Sequence, residues 1–196
     1  MSLRIFTIAF SSTVITGYGA VVNTARLQAG ETVAVIGCGG VGMAAINGAE
    51  IHGAGRIIAI DTNPAKLQLA TKLGATDIID PRNSDVVQQV SELTGGGVHH
   101  AFEVLGHKET AEQHFGMLAA GGTATIVGMI PYGQKIELHG SDFLRERRIK
   151  GSSIGSNHFR VDMPRLVEFY MRGKLHLEDW ISAKLKLPEI NDASPI

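Results

Sequence analysis

Three glycines at a fixed spacing are the residues of this sequence best suited to chemistry. Gly37-Cys38-Gly39-Gly40-Val41-Gly42 follows a short β-branched run and opens a stretch of helical character. In a strand–turn–helix unit the first glycine allows a tight turn, the second lets backbone N–H groups approach a pyrophosphate, and the third permits close packing of helix on strand. The positive end of the helix then faces the phosphates, so the pattern predicts a dinucleotide-binding loop.

An acid completes this pattern. Asp61 follows the next β-branched run, 19 residues after Gly42, where a carboxylate can accept hydrogen bonds from both ribose hydroxyls. A 2′-phosphate there would be repelled, and no arginine directly follows to accommodate it, so the acid predicts NAD rather than NADP. Lys66 either reaches the same ribose or is a solvated lysine. The alternative, in which the glycines only turn the chain and Asp61 only caps a helix, is disfavoured because strand, spacing, helix and acid agree.

From Thr32 onward, short apolar runs alternate with amphipathic stretches, which is typical of βαβ units. The near-continuous apolar character of the runs suits strands covered on both faces, so we predict an α/β fold with a doubly wound six-stranded parallel sheet, a Rossmann fold. The predicted strands are Thr32–Ile36, Arg56–Ile60, Thr76–Ile79, His100–Leu105, Thr123–Val127 and Ile149–Ile154. The turns at Gly106 and Gly128, which follow the fourth and fifth strands, would line the nicotinamide half of the site; the alternative is that either glycine only turns the chain.

Helix signals lie between the strands. Asn63 is a predicted cap with Pro64 at the first helical position, and Gly74 a predicted stop. The other predicted elements are a helix opened by Asn83 or Ser84, helices over Thr110–Leu118 and Pro164–Met171, a lead-in helix over Val14–Leu27, a hairpin or edge strand over Pro131–Leu138, and a strand-like alternation in Trp180–Ile196.

Composition indicates a globular protein that handles a small molecule. The sequence is 44% hydrophobic and carries a net charge of −1, which leaves no basic surface for nucleic acid or an anionic membrane. Cys38 is the single cysteine, so no internal disulfide can form, and a reducing cytoplasm is expected. The apolar run Ile5–Phe10 is too short to span a membrane, and we expect no targeting segment.

Other polar residues invite weaker hypotheses. The nearest grouping of histidines is His99, His100, His107 and His114. Adjacent strand residues point to opposite faces, so we predict no metal ligands in this chain. Glu103 is a charge within a strand run and needs a partner or access to water; we do not assign it a catalytic role. Cys38 is expected to pack, although the helix terminus could lower its pKa.

Several motifs together resemble the coenzyme domain of zinc-type, medium-chain alcohol dehydrogenases. The resemblance extends from about Thr16 to Ala193 and is nearest to bacterial members that retain their NAD. The motifs are Thr16-Gly17-Tyr18-Gly19-Ala20, Gly37 to Gly42, Ile57-Ile58-Ala59-Ile60-Asp61, Leu73-Gly74-Ala75-Thr76, Phe102-Glu103-Val104-Leu105-Gly106 and Gly121-Gly122-Thr123.

The resemblance implies roles for individual residues. It places Thr16 and Val41 at the nicotinamide, and Asp61 and Lys66 at the adenosine ribose. Val104 would lie near that ribose, and Val127 and Met129 would contact the carboxamide. It also implies a homodimer that pairs through Lys135, Ile136, Glu137 and Leu138.

Departures from the family limit the expected chemistry. The resemblance implies a catalytic domain with zinc ligands and a proton relay that we do not expect within these 196 residues, and Ser12 stands where the family has a ligating cysteine. A hydroxyl is a far poorer zinc ligand than a thiolate, so we expect zinc for the family but not in this chain. We expect a fragment with a lead-in segment over 1–29, an NAD-binding domain over 30–160 and a terminal helix with the remnant of a return over 161–196.

The leading hypothesis is the NAD(H)-binding part of an alcohol dehydrogenase-like enzyme, which would support hydride transfer between an alcohol and nicotinamide only together with its catalytic domain. No catalytic residue is assigned within the chain, and no substrate is indicated. The alternatives are a non-catalytic nucleotide-binding or dimerising module and a methyltransferase. Val41-Gly42 packing into the helix disfavours the methyltransferase.

Overall fold

Six parallel strands form the centre of the structure, a computed structural model that describes residues 10–83 and 85–181. The strands are β1 (Thr32–Ile36), β2 (Arg56–Ile60), β3 (Asp77–Ile79), β4 (Val98–Glu103), β5 (Leu118–Ile126) and β6 (Arg148–Gly151). Their order across the sheet is β3-β2-β1-β4-β5-β6. The chain moves outward from β1 to one edge, returns to the other side of β1 and continues to the opposite edge. The predicted doubly wound Rossmann sheet is confirmed.

Helices connect the strands and precede the first of them. The helices are α1 (Ile15–Gly19), α2 (Gly40–Ile51), α3 (Pro64–Lys72), α4 (Val86–Thr94), α5 (Lys108–Gly116) and α6 (Phe159–Met171). Two π-helical segments, Phe10–Val14 and Ala20–Ala25, extend α1 at its two ends, which agrees with the predicted lead-in helix. Short 3₁₀ turns occur at Gly140–Arg145, Ile154–Ser156 and Leu177–Trp180. None of the helices in the described residues is long and apolar enough to cross a membrane.

The core lies in layers on the two faces of the sheet. Val33 and Val35 of β1 belong to one apolar cluster, with residues of α2. Ala34 and Ile36 belong to a second cluster, with residues of α4 and α5. Successive strand side chains point to opposite faces, so the unbroken apolar run of β1 follows from coverage on both sides.

A third apolar cluster joins the two ends of the described chain. Val14, Ile15 and Tyr18 from the lead-in segment pack with Leu166 of α6 and with Leu175 and Leu177 beyond it. These six side chains are almost completely buried. The segment that precedes the sheet and the segment that follows it therefore share one core.

The predicted ends of α3 are confirmed. Asn63 Oδ1 accepts a hydrogen bond from Ala65 N at 2.9 Å, Pro64 begins the helix, and Gly74 has φ +111°. The prediction for α4 was wrong by one or two residues, because its cap is Asp85, whose Oδ1 accepts from Gln88 N at 3.1 Å. An aspartate is as good a cap as an asparagine or a serine, so composition alone did not choose among neighbours.

Several other boundaries differ from prediction, among them those of β4, which covers Val98–Glu103 where His100–Leu105 was predicted. Helix α5 ends at Gly116, and β5 begins at Leu118 and continues through two glycines. Helix α6 begins at Phe159 rather than after Asp162. The Asp162 carboxylate lies inside the first turn and accepts from His158 N at 2.8 Å. Strand β6 stops at Gly151 because the chain then turns.

The hairpin or edge strand predicted over Pro131–Leu138 is not formed. Gly133 makes a turn with φ +86°, and the residues after it are irregular. Glu137 N donates to the Glu112 side chain at 2.8 Å, not to a neighbouring strand. The strand-like alternation predicted toward Ile196 lies almost entirely outside the described residues.

Candidate functional site

The glycine loop turns between β1 and α2 as the sequence requires. Gly37 has φ +98°, and a Cβ there would lie 2.6 Å from Leu105 Cδ2. Its N–H donates to Ile60 O at 2.8 Å, which ties the loop to the end of β2. A Cβ at Gly42 would lie 1.8 Å from Gly37 O. The first and third glycines therefore permit the turn and the close packing of helix on strand.

The second glycine lies at the start of α2. Gly39 is the N-cap, and a Cβ added to it would meet no atom within 4 Å. The first helical bond runs from Met43 N to Gly39 O at 2.8 Å. The N–H groups of Gly40, Val41 and Gly42 precede that bond and have no partner within the helix. Together with the helix dipole they can hold an anionic group such as a pyrophosphate.

Asp61 connects this loop to the next strand. Its Oδ2 accepts from Cys38 N at 2.7 Å, and its Oδ1 accepts from Asn63 N at 2.8 Å. The two backbone donors fix the orientation of the carboxylate beside the loop. An ionised carboxylate has about four acceptor positions, so two remain for ribose hydroxyls. The residues present fit an adenosine ribose.

Lys66 lies one turn into α3, close to this acid in the sequence. Its side chain is exposed, and its backbone N–H contacts Asn63 Oδ1 at 3.4 Å. The structure therefore places the lysine in the first turn of α3, near Asp61, and holds its side chain by no hydrogen bond or ion pair within the described residues.

Cys38 is a packing residue. Its side chain is 1% exposed and belongs to the core cluster that contains Val35 and Met43. Burial, together with the charge of Asp61, raises the pKa of the Cys38 thiol to about 12. The shift is upward because burial disfavours the thiolate, so the lowering of the pKa that a helix terminus could produce is not observed.

The lead-in helix lies against the first turn of α2. A Cβ at Gly17 would lie 2.2 Å from Val41 O, and one at Gly40 would lie 2.6 Å from Thr13 Cγ2. This close approach explains why α1 tolerates glycine. It also brings half-buried Thr16 to the same side of the sheet as Val41.

Two further turns meet at the carboxyl ends of β4 and β5. Gly106 has φ +87°, and a Cβ there would lie 2.6 Å from Met129 O. Val104 N donates to Ile36 O at 3.2 Å, and Val127 N donates to Glu103 O at 2.8 Å. The Met129 side chain is 90% exposed. All the residues singled out in these two turns therefore lie along the edge that carries the glycine loop, where ligands of open α/β sheets bind.

Sequence reasoning missed a strained turn after β6. Ile154, Gly155 and Ser156 have φ of 49°, 68° and 45°, an unfavourable conformation for a β-branched residue. A Cβ at Gly155 would lie 2.3 Å from Ile15 O, so the turn contacts the backbone of α1. The signal in the sequence was Gly155, which directly follows the predicted strand Ile149–Ile154.

The histidine side chains do not form a cluster. His99 contacts Thr32, His100 pairs with Glu31 at 2.8 Å, and His114 is fully buried in α5. Within residues 10–83 and 85–181, no three His, Cys, Asp or Glu side chains group as metal ligands. Ser12 is exposed on the first π-helical segment. The described residues do not fit a zinc centre.

A doubly wound parallel sheet with a glycine loop at a helix start, and an acid at the end of the second strand, defines a dinucleotide-binding domain of the Rossmann class. A family model described as zinc-binding dehydrogenase matches residues 40–171. The chain belongs to this family and corresponds to the cofactor-binding part of alcohol dehydrogenase-like oxidoreductases.

Individual relatives agree with this assignment. The chain is 42% identical over 183 residues to an S-(hydroxymethyl)glutathione dehydrogenase of Synechocystis sp., a match that covers 92% of this chain and 50% of that protein. A solved alcohol dehydrogenase zinc-binding domain protein of Burkholderia ambifaria superposes with a TM-score of 0.94 at 34% identity, covering 96% of this chain and 51% of that one. A zinc-binding dehydrogenase of Sinorhizobium meliloti 1021, solved bound to NADP, gives 0.87 at 33% identity, covering 93% and 53%. The chain spans about half the length of these relatives.

Proposed function

We propose that the chain binds NAD(H) along the carboxyl edge of its sheet, with the pyrophosphate on the first turn of α2 and the adenosine ribose on Asp61. The observation that carries the proposal is the orientation of the Asp61 carboxylate by Cys38 N at 2.7 Å and Asn63 N at 2.8 Å. Thr16, Val41, Val104, Gly106, Val127 and Met129 would contact the remainder of the cofactor.

The choice of NAD over NADP rests on charge. A 2′-phosphate would lie against the Asp61 carboxylate, and like charges at hydrogen-bond distance repel. Lys66 is the cation that could offset this repulsion, and we propose that it contacts the ribose instead. The NADP bound to the Sinorhizobium relative makes the comparison of the two cofactors a necessary part of the test.

We further propose that the cofactor site works with a separate catalytic domain in hydride transfer between an alcohol and nicotinamide. A bound nicotinamide would supply the hydride acceptor or donor. The residues of this chain would hold the cofactor, orient it and keep its ribose hydroxyls paired. We assign no step to zinc here. Residues 1–29 and 161–196 would connect the NAD-binding part, 30–160, to that domain, and alcohol oxidation by the chain alone would contradict this division.

A homodimer is the proposed assembly, with Lys135, Ile136, Glu137 and Leu138 pairing across a two-fold axis. Lys108 already contacts Glu137 at 3.3 Å, and Leu138 packs against the core, so the segment is held against the domain at one edge. Light scattering should give twice the monomer mass, and Ile136→Pro should lower it to the monomer mass.

The single cysteine suits a reducing compartment such as the cytoplasm.

Isothermal titration with NADH tests the proposed function. The wild-type chain should bind NADH, and NADPH should bind at least about tenfold more weakly because of the Asp61 charge. Asp61→Ala should weaken NADH binding by roughly 10- to 100-fold, the loss expected for hydrogen bonds to a charged acceptor. Glu92→Ala, an exposed carboxylate on α4, should leave binding unchanged. A folded wild-type chain that binds neither cofactor would remove the proposal.

A further inference from the structure

Glu103 is a completely buried acid at the carboxyl end of β4. Burying a charged side chain is costly unless hydrogen bonds compensate it. Burying an apolar side chain at this position would cost less free energy, since Phe102 and Ala101, the two residues before it, are both buried and apolar. The contacts that the acid makes therefore need an explanation beyond packing.

One carboxylate oxygen of Glu103 holds the turn after β4. Its Oε1 accepts hydrogen bonds from Leu105 N at 2.9 Å and Gly106 N at 2.8 Å. The Thr110 hydroxyl donates to the same oxygen at 2.8 Å, which connects the turn to the first helical turn of α5. Charge-assisted bonds of this kind are stronger than neutral ones, so a single atom fixes both the turn and the helix that follows it.

The backbone of the same residue holds the turn after β5. Glu103 O accepts from Val127 N at 2.8 Å and from Gly128 N at 3.0 Å. The two turns also touch, because a Cβ at Gly128 would lie 2.2 Å from Gly106 N and 2.7 Å from Glu103 Oε2. Glu103 therefore lies at the junction of the two turns to which the nicotinamide half of the cofactor is assigned.

We propose that Glu103 is a positioning residue that sets the two turns for the nicotinamide of NAD(H). The proposal rests on the proposed function, since it names a residue that shapes the same site without touching the cofactor. The second oxygen, Oε2, is buried and has no hydrogen-bond partner among the residues that the structure describes. Solvation of the carboxylate therefore does not explain why a glutamate occupies this position, because one of its oxygens has no partner among the described residues. The three hydrogen bonds to the other oxygen, which hold the turn, do explain it.

The test compares NADH with ADP-ribose, which has the same adenosine and pyrophosphate groups but no nicotinamide. Titrations use the 196-residue chain and three variants: Glu103→Leu, Glu103→Gln and Thr110→Val. Leucine removes the acceptor, glutamine restores an acceptor oxygen at similar volume, and valine removes only the hydroxyl. If Glu103 had a purely structural role, its loss would weaken the binding of both ligands equally. If it positions the turns, its loss would weaken mainly the binding of NADH.

Glu103→Leu should weaken NADH binding by about tenfold or more and ADP-ribose binding by less than about threefold, and Glu103→Gln should recover most of the NADH affinity. If the leucine variant does not fold, Thr110→Val should still weaken NADH binding by about threefold and leave ADP-ribose binding unchanged. Equal losses for the two ligands in every folded variant, or equal affinities of the wild-type chain for them, would overturn the proposal. Wild-type binding of neither ligand would instead remove the proposed function.

Discussion

The two halves of the candidate site are built in different ways. The adenosine half is centred on one contiguous loop and the acid of the next strand, and the hydrogen bonds that orient Asp61 and hold Gly37 lie within residues 37–63. The proposed nicotinamide half would be assembled from the ends of β4 and β5 and from α1, whose backbone the strained turn after β6 contacts. Local sequence specifies the first half, whereas tertiary contacts between distant turns specify the second. Mutations in the two halves should therefore fail in different ways.

The largest effects should come from the glycine loop. Gly42→Ala places a Cβ 1.8 Å from Gly37 O, so the loop or the helix must move. We expect NADH binding to be lost and the free energy of unfolding to fall by about 1–3 kcal/mol. Gly39→Ala is the matched control, because its Cβ meets no atom within 4 Å.

The Gly39→Ala variant should keep its stability to within about 0.5 kcal/mol and still lose NADH affinity, because the methyl group would lie where the pyrophosphate approaches. Urea unfolding and calorimetric titration separate the two quantities. Unchanged NADH binding in both variants would place the cofactor somewhere other than this loop.

A smaller and more selective effect is expected in the nicotinamide half. Gly106→Ala combines φ +87° with a Cβ that would lie 2.6 Å from Met129 O. This variant should bind NADH about tenfold more weakly, while its binding of ADP-ribose changes little. Gly121→Ala has a similar φ of +76° but no neighbour within 4 Å, so it should cost only the backbone strain of about 1 kcal/mol. If Gly121→Ala reduced NADH affinity as much as Gly106→Ala, the contact between the two turns would have no part in binding.

Lowering the pH should reduce the free energy of unfolding through His114 in α5, the helix that follows the turn after β4. Burial lowers the pKa of His114 in α5 to about 4, while the unfolded chain protonates this imidazole near its ordinary pKa of about 6.5. Below that pH the unfolded state binds more protons, so the contribution to stability is complete above about pH 6.5 and is lost as the pH falls toward 4. The loss is of the order of 3 kcal/mol or less.

Urea midpoints measured between pH 4 and pH 7.5 check this dependence. His114→Leu should flatten the profile, whereas His139→Leu, at an exposed position, should leave it unchanged. His52 and His100, whose pKa values burial also lowers, add a dependence of the same sign, so some slope remains in the His114 variant. An unchanged slope in His114→Leu would show that this imidazole is not the buried group that acid ionises.

The fold and the adenosine half could be predicted from sequence because their signals are local. The alternation of runs predicted the doubly wound six-stranded sheet, and the spacing from Gly37 to Asp61 predicted the loop and its acid. Glu103 was noticed only as an unusual charge, since its partners Leu105, Gly106 and Thr110 are seen only once β4 and α5 are in place. The strand expected over Pro131–Leu138 was wrong because its pattern needs a neighbouring strand that the described chain does not supply.

The most direct test of the account is an amide ¹H–¹⁵N NMR titration of the chain with NADH. Pyrophosphate binding on the first turn of α2 predicts the largest shifts at Gly40, Val41 and Gly42, whose N–H groups have no partner within the helix. A different cavity of about 370 Å³, lined by residues that include Asn47, Lys72 and His176, lies at the far ends of α2 and α3. Shifts concentrated there, with the glycine loop unchanged, would contradict the account.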